Sequence, residues 1–254
     1  MKDTSSAKMP TLKLRNIVKR FGGVTAADEV CFELHGGEVF GLIGPNGSGK
    51  TTLLNLITGI YKADGGVIEL EGHGITRFAT HTRARLGIIR SFQHPRLLER
   101  CDVETNIRVG LDLSNRYRKS ENERGEKYMY ELLEVAGLSG VDLKGGIDRL
   151  SYGQEKLLEI VRAMLADPKV LLLDEPAAGL NRAEMHYISA LIDMAKKEGV
   201  AILLIEHAID FVMDVCDRIT VLNFGRQITT GAPSHVQEHP GVIEAYLGGA
   251  GVNA

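Results

Sequence analysis

Residues 44–52 combine the types and the spacing that bind phosphate groups. They read Gly44-Pro45-Asn46-Gly47-Ser48-Gly49-Lys50-Thr51-Thr52 and fit the pattern G-x-x-x-x-G-K-S/T. Glycines let the backbone bend so that successive N–H groups point into one concavity, and the start of a helix adds partial positive charge. We expect Lys50 to reach the β- and γ-phosphates of a nucleotide and the Thr51 hydroxyl to bind Mg²⁺.

The flanking residues favour this interpretation over a glycine-rich turn that matches by accident. Residues 38–43 have the pattern of a short buried strand, and residues 50–59 have that of a helix start. This order places the loop at a helix N-terminus, where an anion is stabilised. The loop predicts a nucleotide site without indicating which class of nucleotide hydrolase it serves.

Two adjacent acids follow the apolar run 170–173. Asp174 suits Mg²⁺ coordination, and Glu175 suits the polarisation of a water molecule. The carboxyl ends of parallel strands are where such sheets bind ligands. The alternative is a solvated pair of acids at a strand end, which the phosphate-binding loop disfavours.

Two further polar residues follow strand patterns. Gln93 comes after the strand 88–90 and could place its carbonyl oxygen on Mg²⁺ and on an attacking water, or it could be a solvated loop glutamine. His207 comes after the buried strand 200–205, where it could donate to a γ-phosphate oxygen. An ordinary surface histidine is the alternative there.

The stretch Leu150-Ser151-Tyr152-Gly153-Gln154 opens an amphipathic helix that Pro168 stops. Ser151 and Gln154 have the spacing of a capping box, so a plain helix cap is one interpretation. The other is a second anion site formed by Ser151 and the N–H of Gly153 at a positive helix end. Asn181 is a candidate cap for the next helix.

Phe21 lies upstream of the phosphate-binding loop, in a stretch whose Gly22-Gly23 pair indicates a loop. It could stack on a nucleotide base, or it could be a phenylalanine at the edge of the core. The residues leave both open.

Composition and charge exclude some functions. The 254 residues are 44% hydrophobic, and 30 basic against 33 acidic residues leave a net charge of −3, which argues against a general nucleic-acid partner. Cys31, Cys101 and Cys216 lack CxxC spacing and are expected to be reduced cytosolic thiols. No apolar run approaches the roughly eighteen residues that span a bilayer, so any spanning would fall to another subunit.

Together these motifs resemble the nucleotide-binding subunit of ATP-binding cassette (ABC) transporters over residues 12–248. The pentapeptide 150–154, between the phosphate-binding loop and the acidic strand, is the diagnostic part, and an NKxD motif that would read guanine is missing. A finer resemblance, to the longer ATP-binding subunit of branched-chain amino-acid importers, rests on residues 150–154, 175–181, 221–226 and 242–248. Tyr152 in place of glycine is usual in that subgroup, whereas Ala208 stands where aspartate is usual.

The resemblance implies an α/β fold: a P-loop NTPase core with an antiparallel β subdomain and an inserted helical subdomain. One ABC ATP-binding domain, 1–254, would comprise a core with its β subdomain (11–92 and 154–230), a helical subdomain with the signature motif (93–153) and a C-terminal tail (231–254). Asp102 could cap a helix of the insert.

The resemblance also implies roles in a head-to-tail dimer with ATP as the bound nucleotide. Phe21 would stack on adenine, Gly44 to Thr52 would hold the phosphates, and Ser151 and Gly153 would complete the site of the partner subunit. Glu175 would activate the attacking water, and His207 would contact the γ-phosphate. Lys50 and Gln93 would also take part in catalysis. Thr51, Gln93 and Asp174 would bind Mg²⁺ directly or through water. Two further candidate nucleotide-contacting residues are Gln154 and Asn181.

The implied partners are transmembrane permease subunits, a second ATP-binding subunit (identical or different) and, indirectly, a substrate-binding protein. The protein would lie peripherally on the cytoplasmic face of the inner or plasma membrane. Alternatives are a system for urea or short amides, a lipid exporter, or a soluble cassette ATPase acting on ribosomes or DNA.

Overall fold

The computed structural model describes residues 9–114 and 123–247. The strands within them are β1 (Leu12–Phe21), β2 (Val24–Leu34), β3 (Val39–Ile43), β4 (Gly65–Leu70), β5 (His73–Gly74), β6 (Ile88–Arg90), β7 (Val170–Asp174), β8 (Ala201–Ile205), β9 (Arg218–Asn223) and β10 (Arg226–Gly231). The helices are α1 (Lys50–Thr58), α2 (Thr80–Arg85), α3 (Val103–Leu113), α4 (Glu123–Val135), α5 (Tyr152–Leu165), α6 (Arg182–Lys197), α7 (Ile209–Val215), α8 (Pro233–Glu238) and α9 (Pro240–Leu247).

The strands form two sheets. The larger has the order β10-β9-β3-β8-β7-β6, and the smaller has the order β2-β1-β4-β5. In the larger sheet all neighbouring strands run parallel except β10, whereas the smaller sheet is antiparallel throughout. Since α3 and α4 lie between β6 and β7 along the chain, the predicted fold class is confirmed. The domain boundaries at 93 and 153 stay a prediction.

Both faces of the larger sheet are covered. In β3, Val39 and Ile43 join the core that contains the inserted helices, whereas Phe40 and Leu42 join the core shared with α1 and the smaller sheet. A parallel strand covered on both faces is apolar along most of its length, which explains the continuous apolar runs of β3, β8 and residues 170–173 of β7. Within the described residues, no helix is both long and apolar enough to cross a membrane.

Side-chain caps fix the starts of three helices. Asp102 accepts the N–H of Thr105 at the start of α3. Ser151 and Gln154 form a complete capping box at α5, and Asn181 forms one at α6. The predicted caps are therefore confirmed, and each satisfies N–H groups that have no partner within the helix.

The prediction that Phe21 lies on a loop is wrong. β1 continues to Phe21, which pairs with Val24 of β2 across a tight turn. Asn16 has a positive φ of 49° at a bulge. A bulge interrupts the two-residue alternation that marks a strand, so the second half of β1 lacked a periodic signal.

Arg83 secures the C-terminal end of α1, the helix behind the phosphate-binding loop. Its side chain is 2% exposed. The guanidinium donates to the carbonyls of Leu56 (2.6 Å) and Ile57 (2.8 Å), which lie in the last turn of α1. It also donates to the carbonyls of Phe78 (3.0 Å) and Thr76 (2.7 Å).

Arg83→Met is therefore expected to lower the free energy of unfolding by about 3 kcal/mol, because it leaves buried carbonyl groups without donors. Urea denaturation measures this change. Arg77→Met, at an exposed position nearby, should stay within about 0.5 kcal/mol of the unmodified protein. Equal stabilities of the two variants would contradict this role of Arg83.

Candidate active site

The predicted chemical residues meet at one edge of the larger sheet. The phosphate-binding loop follows β3, Gln93 lies beyond β6, Asp174 ends β7, and His207 follows β8. These strands are parallel and occupy consecutive places in the order β3-β8-β7-β6. Their carboxyl ends therefore open on the same side, which is the side where parallel sheets bind ligands.

The phosphate-binding loop needs its glycines. Gly44 and Gly49 have φ values of 150° and 108°, and a Cβ atom at either position would lie within 2.2 Å of a backbone carbonyl oxygen. The Oγ atom of Ser48 is buried without a hydrogen-bond partner among the described residues, and no side chain caps α1. Such a loop offers polar groups to an anion.

Lys50 is folded into this loop. Its Nζ atom donates to the carbonyls of Gly44 (2.7 Å) and Pro45 (3.1 Å), and its side chain is largely buried. Burial lowers the pKa of the ammonium group, while the carboxylates of Glu175 and Asp174 raise it. The site thus holds a largely desolvated lysine beside two carboxylates that partly offset the effect of burial.

Glu175 is held from several sides. Its φ of 51° is unusual for a residue with a side chain. Its N–H donates to the carbonyl of Ile205 at 2.8 Å. One carboxylate oxygen accepts the Gln93 amide at 2.8 Å, and the other lies 3.0 Å from Nε2 of His207. The structure therefore brings Glu175, Gln93 and His207 together as predicted by their strand-end positions.

Asp174 makes a different contact. One of its carboxylate oxygens accepts Nη2 of Arg90 at 2.7 Å, and Nη1 of Arg90 donates to Asn55 at 2.7 Å. Arg90 and Asp174 are both more than nine-tenths buried as side chains. This pair links the strand before Gln93 to the acidic strand and to α1.

A cleft joins the loop to the catalytic candidates. It is lined by Ala26, Asn46, Gly47, Ser48, Gly49, Lys50, Thr51, Thr52, Glu175 and His207. Ser151, Gly153, Gln154 and Asn181 do not line it; they form the N-terminal ends of α5 and α6. The predicted residues thus fall into two groups on this chain.

The second group is tightly built. Ser151 Oγ accepts the N–H of Gln154 at 3.2 Å, and the Gln154 side chain accepts the N–H of Ser151 at 2.9 Å. A Cβ atom at Gly153 would lie 2.0 Å from a carboxylate oxygen of Glu184. The cap interpretation is confirmed, and a second anion site here stays a prediction.

Phe21 lies apart from the cleft. It is 43% exposed, and its ring meets that of Tyr61 edge to face, with centroids 5.3 Å apart. The Lys19 ammonium lies 5.2 Å from the same ring centroid. Part of the residue is thus open to solvent, and base stacking stays a prediction.

Sequence reasoning missed several residues that touch the site. The strand pattern 88–90 includes Arg90 and the amphipathic helix pattern includes Lys156 and Glu159, but neither pattern marks these residues as functional. Tyr152, Lys156 and Glu159 are spaced by four and three residues, which puts them on one helix face. That spacing, on an amphipathic helix, was the available signal.

A glycine-rich loop between strand and helix, beside a strand-end carboxylate, defines a P-loop nucleoside triphosphatase. A sequence model of the ABC transporter family matches residues 27–178, and one described as branched-chain amino acid ATP-binding cassette transporter matches residues 226–252. The chain belongs to the ABC transporter family and is an ATP-binding cassette ATPase.

Relatives of known name cover nearly the whole chain. The high-affinity branched-chain amino acid transport ATP-binding protein BraF of Pseudomonas aeruginosa is 39% identical over 95% of this chain and 99% of its own. The corresponding protein LivG of Escherichia coli is 37% identical, with the same coverage. The ADP conformation of MJ1267, an ATP-binding cassette of an ABC transporter, superposes with a TM-score of 0.83 at 35% identity, covering 95% of this chain and 100% of that one.

Lys50→Ala is expected to abolish stabilisation by nucleotide, because the cleft loses its buried cation. Thermal unfolding should show ATP stabilising the unmodified protein by about 2.7 kcal/mol at 100 times its dissociation constant. The shift should disappear in Lys50→Ala and persist in Lys62→Ala, which alters an exposed lysine. An undiminished ATP shift in Lys50→Ala would contradict the assignment.

Proposed function

We propose that this chain hydrolyses ATP to power an importer of branched-chain amino acids. The observation that carries the catalytic part is the Glu175 carboxylate, held between Gln93 and His207 beside the Lys50 loop. The cargo is supported by relatives that are named branched-chain amino acid transport proteins and by the match over the tail.

The phosphate-binding loop and the neighbouring strand ends supply groups that suit Mg²⁺ together with ATP. Lys50 and the N–H groups of the loop from Gly44 to Thr52 would bind the β- and γ-phosphates. Thr51, Gln93 and Asp174 supply hard oxygen atoms, the ligands that Mg²⁺ prefers. When bound, the ion would neutralise charge on the phosphates.

Glu175 would act on water. A carboxylate oxygen accepts a hydrogen bond from the water that attacks the γ-phosphorus, and it takes the proton as the bond to the ADP oxygen breaks. Gln93 and His207 fix the direction in which the carboxylate points. On substrate binding His207 would also contact the γ-phosphate, since it lines the same cleft.

The second group of residues would serve a partner subunit. Ser151 and Gly153 open α5 at a positive helix end and do not line the cleft of their own chain, and Gln154 and Asn181 lie in the caps of α5 and α6. We expect them to complete the nucleotide site of a second ATP-binding subunit, while Phe21 stacks on adenine in its own site. ATP would then hold two subunits together, and its hydrolysis would release them.

The remaining partners follow from the transport role. Permease subunits would span the membrane, and a substrate-binding protein would act through them. This chain would lie on the cytoplasmic face as a peripheral subunit.

Glu175→Gln should bind ATP but hydrolyse it at least about 100-fold more slowly, because an amide cannot take the proton. Sedimentation of this variant should shift from monomer to dimer only with ATP and Mg²⁺. Adding Ser151→Arg should prevent the dimer, whereas Glu134→Gln, an exposed control on α4, should leave turnover unchanged. Near-normal turnover in Glu175→Gln would contradict its catalytic role.

Deletion of the gene for this chain should reduce cellular uptake of radiolabelled leucine, isoleucine and valine. The gene should restore uptake, and its Glu175→Gln form should not, because transport needs hydrolysis. Normal leucine uptake together with lost uptake of urea would contradict the proposed cargo.

A further inference from the structure

Lys156 is a buried charge that the catalytic proposal does not use. It lies in the second turn of α5, and its side chain is 2% exposed. Its Nζ atom donates a short hydrogen bond to the backbone carbonyl of Glu175. Burying an ammonium group is costly unless it is paired, so its position needs a reason.

Acids surround the buried Lys156 ammonium group and partly offset the effect of its burial. Burial lowers the pKa of its ammonium group, whereas Glu206 raises it most among the neighbouring acids, followed by Glu159 and Glu175. Glu206 in turn accepts the N–H of Ala177 at 2.6 Å and of His207 at 3.0 Å. Lys156 therefore binds the Glu175 carbonyl, and the neighbouring Glu206 binds the N–H groups of Ala177 and His207.

The backbone that Lys156 holds is strained. Glu175 has a φ of 51° and precedes Pro176. Left-handed backbone outside glycine costs on the order of 1–3 kcal/mol and persists only where the surroundings enforce it. The Glu175 N–H is fixed by Ile205 at 2.8 Å, and the Glu175 carbonyl is fixed by Lys156.

The same face of α5 also holds the Gln93 loop. The Tyr152 hydroxyl donates to the Gln93 carbonyl at 3.3 Å. Glu159 accepts the N–H groups of Phe92 (3.1 Å) and Arg96 (3.0 Å). One helix face therefore positions both partners of the Gln93–Glu175 hydrogen bond.

We infer that Lys156 is a positioning residue for hydrolysis: it fixes the Glu175 carbonyl, so that the carboxylate points at Gln93 and His207, and it ties Glu175 to the helix that begins at Ser151. This inference rests on the proposed role of Glu175. Ser151 would contact the nucleotide that the partner subunit holds. A shift of α5 caused there would be passed through Lys156 to Glu175 of the same chain, which acts on the nucleotide in that chain's own cleft.

Lys156→Met removes the ammonium group and keeps an unbranched side chain. We expect kcat to fall roughly tenfold or more while ATP affinity, read by a fluorescent ATP analogue, changes less than about twofold. Lys156→Arg should recover much of the rate, because it retains a donor. Lys197→Met, at an exposed position on α6, should match the unmodified protein.

A double variant distinguishes a loss of Glu175 positioning from a general loss of structure. In the Glu175→Gln background, Lys156→Met should not lower the residual turnover further, because Lys156 acts through Glu175. Unchanged kcat in Lys156→Met, loss of ATP affinity in parallel with kcat, or no recovery with arginine would each overturn the inference. If Glu175→Gln itself keeps normal turnover, the proposed function fails first, and the two failures are distinct.

Discussion

The register of the parallel strands is the constraint on which the site depends. Leu173 pairs with Leu204 and Asp174 with Ile205, so β7 and β8 end level with each other. Glu175 and His207 then follow at the same edge, where a carboxylate oxygen of Glu175 lies 3.0 Å from Nε2 of His207. A slip of one residue would turn every side chain of a strand to the opposite face. Apolar contacts on both faces of the sheet therefore fix the geometry of the candidate site, although they lie away from it.

The charged side chains at this edge of the sheet form hydrogen bonds and ion pairs with other groups of the protein. Lys50 donates to loop carbonyls, Arg90 pairs with Asp174, and Lys156 lies against the Glu175 backbone. Buried polar groups of this kind cost free energy unless they are paired. Their partners sit on different strands and helices, so nucleotide bound in the cleft would act on several elements at once. This arrangement suits a subunit whose task is to change shape with nucleotide state.

Much of this architecture could be predicted from sequence, since its signals are local. The phosphate-binding loop, the caps at Asp102, Ser151 and Asn181, and the apolar strands follow from spacing and residue type. The second half of β1 could not be predicted, because the bulge at Asn16 breaks its alternation. The contacts of Arg90 and Lys156 join residues 84 and 19 positions apart. Such contacts depend on the packing of the whole fold. The periodicity of a helix does not distinguish a buried lysine from an exposed one.

The most direct test of the account is a crystal structure of the Glu175→Gln variant with ATP and Mg²⁺. We predict two subunits arranged head to tail, with each ATP between the Lys50 loop of one and Ser151 of the other. A water should lie in line with the γ-phosphorus and within about 3 Å of the substituted side chain. An ATP enclosed by one subunit alone, with Ser151 remote from every phosphate, would contradict the account.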